Sequence, residues 1–164
     1  MAVQLLKMTQ KIPASLPVVW ELFSNPANLL KLTPSYFGLQ ILSADHDRPI
    51  YVGQRIDYKV RPLLGIPLRW TTEITRVEQG SSFVDEQIKG PYRLWKHEHR
   101  FHEIEGGVEM NDHVQYENPM GVIGQLANTL LVKKKLEQLF RQRYKAVEEL
   151  LGKWVGQQFD LRFS

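Results

Sequence analysis

The sequence contains no cysteine. Disulfide frameworks, thiolate zinc sites and cysteine nucleophiles are excluded together, and a reducing compartment is the expected setting. Long apolar runs are missing too: nothing approaches the ~20 residues needed to span a bilayer. The opening stretch MAVQLLKMTQKIPAS has no long apolar h-region and no small-residue cleavage site, so a cytoplasmic, water-soluble protein is expected. Charge of one sign is not in excess. With 21 basic and 18 acidic residues the net charge is +3, too little for the dense basic face that nucleic-acid binding normally requires. Internal repeats, low-complexity tracts and Gly/Ser-rich linkers are also lacking. What remains is ordinary: 164 residues, 43% hydrophobic and 24% charged. A chain of this length buries roughly 70% of its unfolded surface and needs no covalent staple. One domain over residues 1–152 is expected, followed by a C-terminal tail, 153–164.

Hydrophobic periodicity changes twice along the chain. Residues 3–12 alternate, with Leu6, Met8 and Ile12 on one face and Lys7, Thr9 and Lys11 on the other, which predicts a half-buried strand ended by Pro13. Ser15 is a candidate cap for a short helix with the stripe Val19, Trp20 and Phe23. Asn25-Pro26 interrupts it, and a second short helix is expected over Ala27–Leu32. Strand-like segments follow at Leu39–Ala44, Gln54–Arg61, Leu68–Glu78, Ser82–Lys89, Tyr92–Ile104 and Val108–Asn118, separated by turns. The turn Leu63–Pro67 is unusually apolar. After Pro119 and Gly121 the period becomes helical up to about Gly152, with Leu126, Leu130, Leu136, Leu139, Phe140, Tyr144, Val147 and Leu151 on one side. A helix of ~30 residues is ~45 Å long. It is too long to lie beside one small sheet, so the sheet is expected to wrap around it.

The most informative stretch is Phe83 to Tyr116. Strand alternation sets His97 and His99 on the face of Trp95 and Phe101, and leaves Lys96, Glu98, Arg100 and His102 for solvent. The same parity carries Asp85 and Gln87 inward with Phe83, and Asp112 inward with Val114 and Tyr116. The Gly90-Pro91 turn sets Asp85 near His97, and the Gly106-Gly107 turn sets His99 near Asp112; a register slip of one would undo either pairing. Buried carboxylates and imidazoles are costly unless paired or solvated. Three explanations stand: a structural network that fixes the fold, a cavity wall that meets a ligand, or a two-His, one-carboxylate metal site built on His97-x-His99. Two histidines on one strand commonly bind nothing, so neither metal nor cofactor is expected. The ligand-facing set is Tyr58, Trp70, Thr72, Phe83, Asp85, Gln87, Trp95, His97, His99, Asp112 and Tyr116, although aromatic residues in strands are more often plain core. Lys133-Lys134-Lys135 reads as a solvated helix face. Gly121, Gly124 and Ala127 are small residues near the expected cavity mouth, and ordinary close packing explains them almost as well.

Several segments together carry a family resemblance. Ile12-Pro13-Ala14-Ser15 with Val19-Trp20-Glu21-Leu22-Phe23-Ser24-Asn25-Pro26, Leu32-Thr33-Pro34 and Gly65-Ile66-Pro67-Leu68-Arg69-Trp70 form the first half. Phe83-x-Asp85-x-Gln87, Gly90-Pro91-Tyr92, Trp95-x-His97-x-His99-x-Phe101, Asp112-x-Val114-x-Tyr116 and Pro119-Met120-Gly121 form the second. The set resembles the START-like (SRPBCC) superfamily, which includes polyketide cyclase/dehydrases, lipid-transfer START domains and birch-pollen-type allergens. It is most similar to an uncharacterised bacterial branch. The resemblance implies an α+β helix-grip fold: a seven-stranded curved antiparallel sheet gripping the C-terminal helix, with two short helices after the first strand. It also implies a cavity for hydrophobic ligands, in which some members catalyse cyclisation or dehydration. The chain lacks the glycine-rich loop of the allergen branch and the extra N-terminal elements of full lipid-transfer domains.

Three functions follow as expectations. The first is a binding or carrier protein for a small apolar molecule whose polar end is oriented by Asp85, His97, His99 and Asp112. The second is a cyclase/dehydrase-type enzyme, with His97 or His99 as base and Asp85 or Asp112 holding its tautomer. The third is an interaction module using Leu63–Pro67 and the Trp154–Phe163 tail against a partner protein or a membrane surface. The expected partner is a small hydrophobic ligand, with a homodimer left open; neither nucleic acid nor an integral membrane segment is expected.

Overall fold

The computed structural model of the protein describes residues 3–61, 65–118 and 125–164, with backbone alone over 125–128. Strand β1 (Gln4–Ile12) leads into helix α1 (Leu16–Ser24) and, after a 3-10 turn over Pro26–Asn28, the single-turn α2 (Leu29–Leu32). Ser15 sits at the N-cap of α1 in an extended conformation, but its side chain makes no capping bond; its carbonyl accepts from the Val19 amide instead. Strands β2 (Gln40–Ile41), β3 (Arg55–Val60), β4 (Leu68–Glu78), β5 (Ser82–Lys89), β6 (Leu94–Ile104) and β7 (Gly107–Glu117) follow. Helix α3 spans Gln125–Leu151, and β8 (Leu161–Phe163) closes the chain.

The strands form one antiparallel sheet in the order β2-β3-β4-β5-β6-β7-β1-β8. The expected meander is present, with two differences. The strand expected over Leu39–Ala44 shrinks to two residues. The sheet has eight strands rather than seven, because Leu161–Phe163 adds itself to the free edge of β1, pairing Leu6 with Phe163 and Met8 with Leu161. Such short terminal pairing depends on the edge being available and carries no periodic signal of its own. Register shifts between Thr71 and Thr72 and between Ile74 and Arg76 interrupt the β4–β5 ladder. Bulges of this kind bend a strand and increase its twist, which is how a sheet comes to curl around a helix.

Helix α3 lies in that curl. Val132, Leu136, Phe140, Tyr144 and Val147 are buried along one face, as the helical spacing predicts. Leu130, expected on the same face, is instead 61% exposed, because it lies two residues off the stripe that begins at Val132. Fully burying one such side chain stabilises the fold by about 1.5–3 kcal/mol, so this stripe is the main tie between helix and sheet. Gln10, buried on the inner face of β1, donates from Nε2 to the Tyr144 carbonyl at 3.0 Å. Among the described residues no helix is long and apolar enough to cross a membrane. Leu63, Leu64, Pro119, Gly121 and Gly124 lie outside the described residues, as do the side chains of Leu126 and Ala127.

The tail runs back along the molecule. Gln157 accepts from the Lys11 amide and donates to its carbonyl, and the Lys11 ammonium sits over the Trp154 ring. Phe159 meets Tyr144 edge-on at 5.5 Å between centroids.

Candidate functional site

Between the concave face of the sheet and α3 lies a cavity of about 120 Å³. Its walls come from the α1–α2 corner (Leu22, Phe23, Leu32), from β3 to β6, and from Leu139, Phe140 and Arg143 of α3. The strand parity that turns His97 and His99 away from water holds: both are about 5% exposed, whereas Lys96, Arg100 and His102 are exposed. Cross-strand register pairs Asp85 with His97 across the 90–93 connection, and His99 with Asp112 through a two-residue turn at 105–106.

The side chains, however, do not simply follow the ladder. Asp112, with no exposed surface, accepts from His97 Nε2 through Oδ1 at 2.7 Å. His97 is its diagonal neighbour rather than its direct one. His99 Nδ1 lies 3.0 Å from the same oxygen, off the ideal hydrogen-bond direction, and Asp112 Oδ2 has no hydrogen-bond partner. On the cavity side, Asp85 Oδ2 stands 3.4 Å from His99 Nε2 and 4.0 Å from His97 Nδ1. The two imidazoles lie 3.7 Å apart between centroids, and Phe83 stacks on His99 at 4.2 Å. One buried carboxylate therefore stands behind both rings and one partly exposed carboxylate in front.

Burial would push the Asp112 carboxyl up, but the contacts from His97 and His99 outweigh it and hold the group well below the usual carboxylate range. Burial and the neighbouring His99 charge push His97 down, while His99 is pushed up, because contacts with Asp112 and Asp85 overcome its own burial. A proton is therefore held more readily on His99 than on His97. Burial and then the Asp85 charge push the Tyr58 hydroxyl up, so it remains a donor at neutral pH.

Of the expected ligand-facing residues, Tyr58, Trp70, Thr72, Phe83, Asp85, Trp95, His97 and His99 line the cavity. Three do not. Asp112 stands behind the histidines. Gln87 spans the β5–β6 turn, donating to the Tyr92 carbonyl at 2.7 Å and accepting from the Tyr92 amide. Tyr116 turns its hydroxyl to Gln4 Oε1 at 3.0 Å. Two polar lining residues fall outside the expected set, Thr33 and Arg143. Arg143 brings a guanidinium to the cavity, and its Nε is buried with no hydrogen-bond partner. The sequence signal existed: 136, 139, 140, 143 and 147 follow helical spacing, so Arg143 falls on the apolar stripe itself. Trp70 Nε1, also on the wall, is likewise buried without an acceptor.

Residues 12–163 match the model of the family described as polyketide cyclase / dehydrase and lipid transport. The chain belongs to that family. The fold of this cyclase/dehydrase and lipid-transport family member recurs in solved structures of low identity. Protein CV1439 from Chromobacterium violaceum superposes with a TM-score of 0.67 at 14% identity, covering 92% of this chain and 99% of that one. A START superfamily protein from Mycobacterium smegmatis gives 0.62 at 15%, covering 90% and 99%. TTHA0849 from Thermus thermophilus gives 0.62 at 18%, covering 89% and 98%. At such identities the likeness establishes the helix-grip fold alone. No curated protein matches the chain.

Proposed function

We propose that this family member binds a small, largely apolar molecule with an anionic or acceptor-rich end in the cavity between sheet and α3. The observation that carries this reading is the character of the unpaired groups on the wall. Trp70 Nε1 and Arg143 Nε are both donors, both buried, and both without a partner in an otherwise aromatic and aliphatic lining. A buried donor left unpaired costs about 1–3 kcal/mol, and a ligand oxygen would recover that. The apolar wall supplies affinity at about 25 cal/mol per Å² buried. At about 120 Å³ the space compares with apolar cavities of ~150 Å³ that accept a single benzene ring. A one-ring or short-chain acid fits it.

The test is a tryptophan-fluorescence titration of chelator-treated protein with 3-phenylpropanoate and with its neutral amide. Saturable quenching is expected, stronger for the carboxylate, with the preference lost in Arg143→Gln. Equal response to both compounds, or none, contradicts the reading.

A second reading is favoured by one arrangement. The bond from His97 Nε2 to Asp112 leaves the Nδ1 lone pair on the cavity side, as a general base removing a proton beside a carbonyl requires. Deuterium uptake from solvent into the enolisable ketone 4-phenylbutan-2-one should then be faster with the protein than with His97→Gln. Equal rates dismiss it.

A further inference from the structure

The polar wall of the cavity has a feature that neither apolar binding nor acid–base chemistry requires. Asp112 is an acceptor-only carboxylate facing one nitrogen of each imidazole: His97 Nε2 at 2.7 Å and His99 Nδ1 at 3.0 Å. An acceptor there fixes the proton on that nitrogen and leaves the other one as a lone pair. The remaining nitrogens, His97 Nδ1 and His99 Nε2, both face Asp85 Oδ2, at 4.0 and 3.4 Å. Two ring nitrogens and a carboxylate oxygen thus converge on one gap. These separations exceed an N–H···O hydrogen bond, and neither contact has hydrogen-bond geometry. The shorter matches the ~3.4 Å expected between neighbouring ligands around a tetrahedral ion with bonds of ~2.1 Å, and the longer exceeds it by about 0.6 Å. Asp85, His97 and His99 each offer a ligand atom within 4.8 Å of the other two.

We propose that Asp85, His97 and His99 bind one first-row divalent transition-metal ion at the cavity wall, with Asp112 orienting both imidazoles from behind. Two imidazoles and one carboxylate suit zinc, iron, cobalt or manganese, and leave coordination positions free. Those positions face the cavity, where a bound molecule's oxygen would complete the shell. The carboxylate–histidine contact that normally steadies a ligating imidazole is present at His97, whose Nε2 donates to Asp112 Oδ1, while His99 Nδ1 stands 3.0 Å from the same oxygen off the hydrogen-bond direction. Asp85 is the cavity-side carboxylate, and 18% of its side-chain surface remains accessible. The site stands independently of the organic ligand proposed above: it needs only three side chains and their orienting partner. Its competing occupant is a proton on His99.

The experiment uses the full chain, stripped with chelator and dialysed to equilibrium against low-micromolar Zn²⁺ or Co²⁺ alone, with the bound metal counted by mass spectrometry. One ion per chain is expected, with a visible absorption band for bound Co²⁺. Asp85→Asn, isosteric and partly exposed, should retain the wild-type unfolding midpoint while losing stoichiometric binding; His99→Gln should lose binding too, with its native fold checked by circular dichroism. Asp112→Asn should still bind, with affinity about 10–100-fold weaker, as expected for loss of an orienting partner. Wild-type protein that dialyses free of metal overturns the proposal and leaves the gap to the proton. A ratio of one retained by both Asp85→Asn and His99→Gln overturns it equally, because the ion would then sit on surface histidines. Because phenylpropanoate binding is read on stripped protein, the two proposals fail separately.

Discussion

Removing Asp112 should be among the most damaging single changes to the interior, for a reason that can be worked from its contacts. The side chain has no exposed surface and is the acceptor for His97 Nε2, with His99 Nδ1 against the same oxygen. In Asp112→Ala both ring nitrogens stay buried, and each loses the only carboxylate behind it. A charge-assisted bond is worth about 1.5–3 kcal/mol, and an orphaned buried donor costs about 1–3 kcal/mol. Because the effects overlap, the expected loss is about 3–4 kcal/mol, in line with breaking a buried charged network from one side. For a 164-residue chain this lowers the thermal midpoint by about 6–16 °C. Urea unfolding, followed by circular dichroism with chelator present throughout, measures the loss directly. Asp112→Asn keeps the size and one acceptor, so about half the loss is expected. The informative companion is a triple variant, Asp112→Leu with His97→Leu and His99→Leu. Removing a buried polar network whole is often neutral, because the desolvation cost disappears with it. Stability within about 1 kcal/mol of the original would mean that the network is kept for what it binds rather than for holding the fold. An Asp112→Ala protein that unfolds within about 1 kcal/mol of the parent would refute the reasoning, since the two imidazoles would then have no need of that carboxylate.

Two further predictions test the frame around the site. At Gly107 a Cβ would stand 2.0 Å from the Ile12 carbonyl oxygen, and backbone cannot swing aside as a side chain can. Gly107→Ala should therefore cost about 3 kcal/mol or more and shift the β1–β7 pairing, whereas Gly53→Ala, with open space but a positive φ, should cost less in the same urea titration. Deleting residues 158–164 removes Leu161 and Phe163 from the β1 edge, together with the reciprocal backbone bonds between Leu5 and Ser164. Half-buried side chains of this size predict a loss of about 2 kcal/mol, and an unchanged urea midpoint would mean that the eighth strand contributes nothing to stability.

Much of this architecture is legible in the residues because the signals are local. Alternation from Trp95 to Phe101 fixes which way His97 and His99 point, and the short connections at 90–93 and 105–106 fix which residues stand opposite. Helix α3 is legible for the same reason, apart from Leu130. What escapes such reading is set by twist and rotamer. Asp112 reaches diagonally to His97 because cross-strand neighbours two residues off are still within side-chain reach in a twisted sheet. Gln87 and Tyr116 have inward parity, yet they spend their polar groups on a turn and on Gln4 rather than on the cavity. Arg143 escapes because it is a cation on an apolar stripe, a position where hydrophobic patterning registers only a gap.

The central claim is that the space between sheet and α3 receives an apolar molecule whose oxygen meets the wall's unpaired donors. The most direct measurement is a ¹H–¹⁵N correlation titration of the labelled, metal-stripped protein with 3-phenylpropanoate. The account predicts saturable shifts of the Trp70 indole and the Arg143 Nε–H signals, with the indole of Trp154, which lies against Lys11 and outside the cavity lining, unmoved. Shifts confined to surface amides, or none at the Trp70 and Arg143 signals up to millimolar ligand, would contradict it.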